Sequence, residues 1–158
     1  MATKGKRKVP KAKKRQGHAV RLQYGALPYR ITKASGLEIL LVTTRQSKRW
    51  IIPKGWPIKG LSGRGSAARE AYEEAGVRGI VGRKPIGTYV YGKQFDDVMV
   101  TVPCEVRVYA LRVRRRERAW PESHQREVRW YQPDEAIAAI EETELRLLVT
   151  AVVKALRK

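Results

Sequence analysis

The stretch Arg69–Val77, with the sequence Arg-Glu-Ala-Tyr-Glu-Glu-Ala-Gly-Val, most constrains what this chain can fold into. On a helix, Glu70 lies three and four positions before Glu73 and Glu74, so all three carboxylates project from one face. Like charges at these spacings destabilise an isolated helix by about 0.3 kcal/mol per pair. A fold that keeps such a cluster needs a cation beside it, and carboxylate oxygens suit Mg2+, or Mn2+ in its place.

The residues around this stretch predict where the helix begins and ends. Residues 54–65 form a loop rich in glycine and proline, and long aperiodic loops in compact domains are usually functional. Either Ser62 or Ser66 can serve as the N-cap, and Gly76 provides the C-terminal stop. The helix also carries small residues that allow close packing on a sheet: Ala67, Ala68, Ala71 and Ala75.

The charge of the chain is strongly positive. The formal net charge is +19 over 158 residues, a length that fits one domain. Eight of the first fifteen residues are Lys or Arg, and the remainder still carries a net charge of +11. We therefore expect a disordered basic arm over residues 1–17, a folded domain over residues 18–158, and an anionic partner. The arm is either a solubilising tail or a contact for RNA or another polyanion.

Cysteine content and hydropathy bear on the cellular compartment. The single cysteine, Cys104, allows no intrachain disulfide, which fits a reducing environment. No apolar run approaches the roughly 18 residues of a membrane span. The basic N-terminus is not followed by the apolar stretch of a secretory signal. These features predict a soluble cytoplasmic protein that does not interact with membranes.

The pattern along the chain mixes strands and helices. Alternation predicts one long strand from Val98 to Val113 that bends near Pro103, and an apolar run with β-branched residues predicts a buried strand over residues 37–44. Shorter strands are expected around residues 19–26, 29–31, 50–52, 80–81, 86–91 and 127–131. Gly92–Asp97 is expected to be a loop, and Arg112–Arg118 a solvated strand end and turn. A helix opens at Pro133 and continues to Leu156, with a break near Glu142–Thr143. The fold class is therefore α/β of the α+β type.

Taken together, Gly55 and the stretch from Arg69 to Val77 resemble the Nudix box. That box is a glycine, five residues, a glutamate, seven residues, and then Arg-Glu-apolar-x-Glu-Glu-x-Gly-apolar. The second half matches at every defined position, and its spacing from Gly55 is also that of the box. The departure is Leu61, which stands where the box has its first glutamate.

Within the Nudix family, the chain is most similar to the diphosphoinositol polyphosphate phosphohydrolase group. The shared segments outside the box are Arg49–Pro53, Gly82–Arg83, Trp120–Glu122 and Arg126–Trp130. The resemblance implies an α/β/α sandwich. In this fold a mixed β-sheet carries the box helix on one face and a C-terminal helix on the other.

The resemblance also implies roles for the residues of the box. Glu70 and Glu74 would bind Mg2+, and Glu73 would bind it or accept a proton from the attacking water. The main-chain carbonyl of Lys54 would complete the ligand set, and Arg69 would orient the carboxylates. The alternative is an ordinary surface helix with ion pairs one turn apart.

Phosphate contacts are expected from cations on segments that resemble the substrate-binding segments of the group: Arg21, Arg45, Lys93 and Arg126, with Lys48, Arg49 and Lys54 in reserve. The planar fork of arginine suits terminal phosphate oxygens. The alternative for each cation is a solvated surface charge. One further carboxylate is expected from a later loop, with Asp96, Asp97 and Glu122 as candidates.

Three functions remain open from the sequence. The leading expectation is a Mg2+-dependent hydrolase that cleaves a phosphoanhydride in a highly phosphorylated small molecule, such as a diphosphoinositol polyphosphate or a dinucleoside polyphosphate. The second is removal of pyrophosphate from the 5′ end of RNA, with the basic arm holding the strand. The third is a catalytically weak binding module for nucleotide or RNA, which Leu61 would explain.

Overall fold

The computed structural model describes residues 13–15, 18–95 and 98–157. Its strands are β1 (Lys13–Arg15), β2 (His18–Thr32), β3 (Gly36–Thr43), β4 (Trp50–Ile51), β5 (Lys54–Gly55), β6 (Val77–Val81), β7 (Gly87–Phe95), β8 (Val98–Arg116) and β9 (Val128–Tyr131). Its helices are α1 (Gly63–Ala75), α2 (Pro133–Ala139) and α3 (Thr143–Leu156).

The sheet is mixed and is built around one parallel pair. β2 and β8 run parallel, from the pair Arg21 and Cys104 to the pair Tyr29 and Arg112. β8 also pairs antiparallel with β7 and β6, each along a different part of its length. β1, β3 and β5 pair antiparallel with β2, while β4 and β9 pair antiparallel with β3. The prediction of a mixed sheet is therefore confirmed.

The helices α1 and α3 lie on opposite faces of this sheet. Adjacent residues on a strand point to opposite faces. On β8, Tyr109 faces α1, because a Cβ at Gly63 would lie 2.9 Å from the Tyr109 hydroxyl oxygen. The adjacent Ala110 lines a groove together with Leu148 and other residues of α3. The predicted α/β/α sandwich is thus confirmed.

The core lies between the sheet and these helices. β3 contributes an uninterrupted buried run, Ile39–Val42, as expected for a strand covered on both faces. On α1, Ala67, Ala71 and Ala75 are fully buried, whereas Ala68 is half-buried. The small alanines allow the helix axis to approach the sheet closely, which brings the neighbouring glutamates to the sheet as well.

Two predicted strand boundaries are wrong. β2 is one strand and not two, because Pro28 is accommodated within the parallel pairing, opposite Leu111. The expected loop over Gly92–Asp97 is also wrong as far as residue 95, since β7 continues to Phe95 through its pairing with β8. In both cases, hydrogen bonding to a distant strand overrides the local signal. The break between α2 and α3 falls at residues 140–142, as predicted.

The basic arm lies mostly outside the described residues. Residues 1–12, 16 and 17 belong to that part of the chain, and the expectation for them stays a prediction. For Lys13–Arg15 the structure gives a short strand paired with residues 18–20, where no regular structure was expected. None of the helices among the described residues has the length and hydropathy needed to cross a membrane.

Candidate active site

Helix α1 is capped at its beginning by Ser62. The Ser62 hydroxyl accepts a hydrogen bond from the N–H of Gly65 at 3.0 Å, a contact worth about 1 kcal/mol. Ser66, the other predicted cap, is buried inside the helix, where its hydroxyl accepts from the N–H of Ile58 at 3.1 Å. That second contact ties the loop before the helix to the helix itself.

At its end, α1 stops at Gly76, as predicted. Gly76 has φ 69°, in the left-handed region that favours glycine, and its N–H donates to the carbonyl of Tyr72 at 2.9 Å. A Cβ at this position would lie 2.6 Å from the ring of Trp120. The indole N–H of Trp120 donates to the carbonyl of Glu74 at 3.1 Å. The last turn of the helix is therefore fixed by a residue more than 40 positions later in the chain.

The three box glutamates are buried. Glu70, Glu73 and Glu74 are 1%, 9% and 2% exposed, which rules out the alternative of an ordinary surface helix. Buried carboxylates are costly unless they are paired or bind a cation. Arg69 lies exposed on the same helix, and its predicted role in orienting the carboxylates stays a prediction.

The main chain of β5 lies directly against one of these glutamates. A Cβ at Gly55 would lie 2.5 Å from Cδ of Glu70 and 2.6 Å from its Oε1. Residue 55 must therefore be glycine if the Glu70 carboxylate is to stay in place. β5 is held there by pairing with Tyr24 and Gly25 of β2.

Arg126 connects the helix to a later loop. Its Nε donates to Oε1 of Glu122 at 2.9 Å, its Nη1 lies 3.7 Å from Oε1 of Glu74, and Nη1 also donates to the carbonyl of Thr43 at 3.0 Å. The N–H of Glu122 donates to the carbonyl of Glu73 at 3.0 Å. Arg126, predicted as a phosphate contact, thus lies among the carboxylates.

Of the candidates for a further carboxylate, the structure brings Glu122 to the cluster. Glu122 is 5% exposed and lies beside α1. Asp96 and Asp97 lie outside the described residues, so their candidacy stays a prediction.

The side chain of Lys54 forms part of the site. Its Nζ lies 4.3 Å from the centroid of the Tyr91 ring. Burial lowers the pKa of Lys54 to about 8, an effect that the Glu74 carboxylate opposes and Lys93 reinforces. The sequence predicts Lys54 as a metal ligand through its main-chain carbonyl and, in reserve, as a phosphate contact, but it does not predict that its side chain packs on Tyr91.

Polar side chains around Lys54 extend the site towards α3. Tyr91 donates from its hydroxyl to Oε1 of Gln23 at 2.6 Å. Burial raises the pKa of the Glu142 carboxyl, and the charges of Lys54 and Arg49 oppose that shift. Oε1 of Glu142 and the Tyr89 hydroxyl are both buried, with no hydrogen-bond partner among the described residues. No sequence signal singles out these residues, because only the pairing of β2, β5 and β7 with their neighbours brings them together.

The remaining predicted phosphate contacts lie at different distances from the cluster. Lys93 is close to it, since its charge lowers the pKa of Lys54, and its Nζ lies 5.6 Å from the Trp56 ring centroid. Arg21 lies beside Cys104, its parallel partner on β8. Arg45 is exposed in the turn between β3 and β4.

The carboxylates do not form a ready-made coordination shell. Across residues 13–15, 18–95 and 98–157, no three His, Cys, Asp or Glu side chains are grouped so as to hold a metal ion. In this arrangement, the guanidinium of Arg126 supplies positive charge next to Glu74 and Glu122. The case for a bound metal ion therefore depends on the carboxylate oxygens of α1 as donors and on the closeness of the Glu70 carboxylate to the main chain of β5.

Comparisons with known proteins place this geometry in a family. Residues 24–150 match the NUDIX domain model. The chain is 32% identical over 139 residues to Nudix hydrolase 12, mitochondrial, of Arabidopsis thaliana, which covers 79% of the chain and 68% of that relative. The chain thus spans about two thirds of the relative's length.

Solved structures share the fold at low sequence identity. An Ap4A hydrolase of C. elegans matches with a TM-score of 0.60 and 19% identity, over 85% of this chain and 97% of the other. The NUDIX domain of Shewanella oneidensis NrtR, complexed with ADP ribose, matches with a TM-score of 0.66 and 13% identity, over 85% and 87%. Together with the box on α1, the domain match shows that this chain belongs to the Nudix hydrolase family.

Proposed function

We propose that this protein is a divalent-cation-dependent hydrolase that cleaves a phosphoanhydride bond in a substrate with several phosphates. The observation that carries the proposal is the burial of Glu70, Glu73 and Glu74 on one helix, with the main chain of Gly55 against the Glu70 carboxylate. A helix with no binding or catalytic role would leave these carboxylates exposed to water, where the repulsion between their charges is screened.

The residues present fit a small hard cation. Carboxylate and peptide oxygens are the donors that Mg2+ and Mn2+ prefer. Because the main chain at Gly55 lies against the Glu70 carboxylate, carboxylate and peptide oxygens lie close together there. We assign Glu70, Glu74 and the Lys54 carbonyl as ligands, with Glu73 as a ligand or a proton acceptor. A bound divalent cation would neutralise phosphate charge and lower the pKa of a bound water.

The hydrolytic step requires little covalent chemistry from the protein. The oxygen of a water molecule forms a bond to one phosphorus, and the bond from that phosphorus to the bridging oxygen breaks. The bridging oxygen leaves with the electron pair on the released phosphate group, and the proton of the water passes to Glu73. Arg126 holds Glu122 and Glu74 in position during this step, and burial excludes bulk water from the carboxylates.

The cations around the site favour a substrate with many phosphates. Glu74 and Lys93 both lie within electrostatic range of Lys54, and Arg21 lies on β2, which pairs with β5 and β8. A diphosphoinositol polyphosphate or a dinucleoside polyphosphate satisfies this requirement. The resemblance to the diphosphoinositol polyphosphate phosphohydrolase group supports the first, and the shared fold with the Ap4A hydrolase supports the second.

Phosphate release from a panel of polyphosphate substrates tests the proposal. We expect hydrolysis with Mg2+ and its loss on chelation. Binding of nucleotide or RNA without turnover of any substrate would contradict the proposal and favour a binding module.

The substitution Glu73→Gln tests the role of α1 directly. We expect the rate to fall about 100-fold or more with the fold retained, because the proton acceptor is lost. Glu135→Gln is a matched control, since Glu135 is an exposed acid on α2. Equal rates for the two variants would refute the assignment of Glu73.

A further inference from the structure

Apolar side chains are exposed on the face of the sheet that carries α3. Leu147 lies within α3 and is 65% exposed, the highest value among the exposed large apolar residues of the described part of the chain. Ile86 lines the groove between α3 and the start of β7. Ile80 pairs with Arg112, two residues from Ala110 of the same groove, so it lies on this face as well. Contiguous exposed apolar surface of this kind marks an interaction site.

Four residues on the outward side of α3 follow a regular spacing. Glu144, Leu147, Ala151 and Lys154 are all exposed, and the steps between them are three, four and three residues. This is the spacing of positions a and d in a coiled-coil heptad, which places side chains in one line along a helix where a second helix can pack. We call these four residues the α3 stripe. The first three of them also line the groove beside β7.

The α3 stripe is complementary to itself when a second copy of α3 lies antiparallel to it. In a two-fold symmetric pair every contact between different residues occurs twice. With the symmetry axis at the level of Val149, Leu147 of each copy lies opposite Ala151 of the other, and Glu144 lies opposite Lys154. The large side chain therefore meets the small one, and each acid meets a base. The two Leu–Ala layers lie in the middle, and the two Glu–Lys layers lie on either side of them.

The charges of the stripe select the antiparallel direction. In a parallel two-fold pair, Glu144 would lie opposite Glu144 of the second copy, and Lys154 opposite Lys154. Like charges at such positions oppose association, and they are a common means of fixing helix orientation. In the antiparallel pair, the beginning of one helix also lies beside the end of the other, which is favourable for the helix dipoles.

The size of the stripe and the charge of the chain limit the strength of such a contact. α3 has 14 residues and is therefore about 21 Å long. A pair of helices of this length lies at the low end of specific interfaces, below about 1,200 Å2, where association is weak. The formal net charge of +19 also opposes self-association. At about 0.15 M salt the Debye length is about 8 Å, so repulsion between charges far from the contact is screened.

We propose that the α3 stripe is the interface of a weak homodimer in which two copies of α3 pack antiparallel. Because α1 lies on the opposite face of the sheet, the interface does not include the box glutamates. The inference goes beyond the proposed function, and neither depends on the other. A monomer that releases phosphate would overturn only the dimer, and a dimer that cleaves no substrate would overturn only the hydrolase.

Sedimentation equilibrium of the full-length protein tests the interface. We expect the mass to rise from one chain towards two between about 1 µM and about 500 µM protein, with a Kd of about 10–100 µM. Leu147→Ala should raise the Kd about 10-fold or more, because the dimer loses two central side chains. Leu61→Ala is the matched control, since Leu61 is an exposed leucine in the loop before α1, and it should dimerise as the wild type does.

Charge reversal tests the antiparallel pairing. Glu144→Lys and Lys154→Glu should each raise the Kd about fivefold or more, because each places like charges opposite one another twice in the dimer. An equimolar mixture of the two variants should associate within about threefold of the wild-type affinity, because opposite charges then meet in both outer layers. One substitution adds two positive charges and the other removes two, so the mixed pair has the same net charge as two wild-type copies.

Glu144 has a second contact that the mixture controls for. Its Oε1 accepts a hydrogen bond from the N–H of Val90 at 3.3 Å. The Glu144→Lys chain lacks this bond both alone and in the mixture, so restored association reports on the charge pairing. Circular dichroism checks that each variant stays folded, which we expect because the substituted side chains are exposed.

Three results would overturn the proposal. A monomer at every concentration would do so, and would leave the α3 stripe to the basic arm or to a different protein. Equal effects of Leu147→Ala and Leu61→Ala would show that the stripe is not the interface. Tighter association of Lys154→Glu than of the wild type would show that net charge controls association and that Glu144 and Lys154 do not pair.

Discussion

Arg126 donates a hydrogen bond from its Nε to Oε1 of Glu122 at 2.9 Å, and both side chains are at most 10% exposed. The same guanidinium lies 3.7 Å from Glu74. Because Arg126 is a buried cation with two carboxylate neighbours, its ion pair with Glu122 matters for the stability of the site. Ion pairs exposed on a protein surface, in contrast, contribute little to stability.

The first prediction concerns this pair. Arg126→Met should lower the free energy of unfolding by about 3 kcal/mol, because it leaves Glu122 and Glu74 buried without their guanidinium. Urea denaturation of Arg126→Met, Glu122→Gln and the double variant measures the coupling. Additive effects of the two substitutions, or a loss below about 0.5 kcal/mol for Arg126→Met, would show that the pair is not coupled.

The second prediction concerns Gly55. Gly55→Ala should displace the Glu70 carboxylate, because the new Cβ would lie 2.5 Å from Cδ of Glu70. We expect the rate to fall about 100-fold, as for misplacement of a catalytic group by about 1 Å. Gly82→Ala is the control, since the nearest atom to a Cβ there is 3.8 Å away. Full activity in Gly55→Ala, measured by phosphate release, would contradict the contact.

The third prediction concerns the pH dependence of Lys54. Its pKa is lowered from 10.5 to about 8 in the folded protein, so the folded state binds fewer protons than the unfolded state between these values. The free energy of unfolding should therefore rise with pH from about 8 to 10.5, relative to Lys54→Met. Below pH 8 this dependence should vanish. Urea denaturation at several pH values, with chelator present, gives the comparison.

A direct titration provides the check on this assignment. The NMR signal of the Lys54 side chain, identified by its absence in Lys54→Met, should titrate near pH 8. Titration near 10.5 would show that the ammonium is solvated in the folded protein.

The fourth prediction concerns Leu61, which replaces the first glutamate of the box. Leu61 is 46% exposed and lies before the N-cap of α1, while Glu73 lies 12 positions later, roughly 18 Å along a helix. Leu61→Glu should therefore change the rate by no more than about twofold. It should also raise stability by about 0.3–1 kcal/mol, because a carboxylate near a helix N-terminus is favourable. A tenfold gain in phosphate release would instead show that Leu61 limits catalysis.

The features that could be predicted from the sequence are those with local causes. The spacing of Glu70, Glu73 and Glu74 and the stop at Gly76 depend on helix geometry and on the backbone freedom of glycine. The N-cap remained open between Ser62 and Ser66, because both satisfy the local rule and only the packing of Ser66 against Ile58 decides between them.

The features that could not be predicted depend on contacts between distant residues. The side chain of Lys54 reaches Tyr91 because β5 pairs with β2 while β7 pairs with β8, and neither register can be read from a single segment. Arg126 contacts Glu74 only because the loop after Trp120 is hydrogen-bonded to the end of α1. Sequence patterns mark charged residues near the site, but they do not distinguish a phosphate contact from a structural ion pair.

The parallel pairing of β2 with β8 has a consequence for how the protein is made. Arg21 pairs with Cys104, so the two central strands are separated by about 80 residues of chain. During synthesis, β2, β5 and α1 leave the ribosome long before β8 has been translated. Non-local pairing of this kind slows folding and leaves an apolar strand unpaired in the nascent chain. We therefore expect the carboxylate site to assemble late, once translation has passed β8.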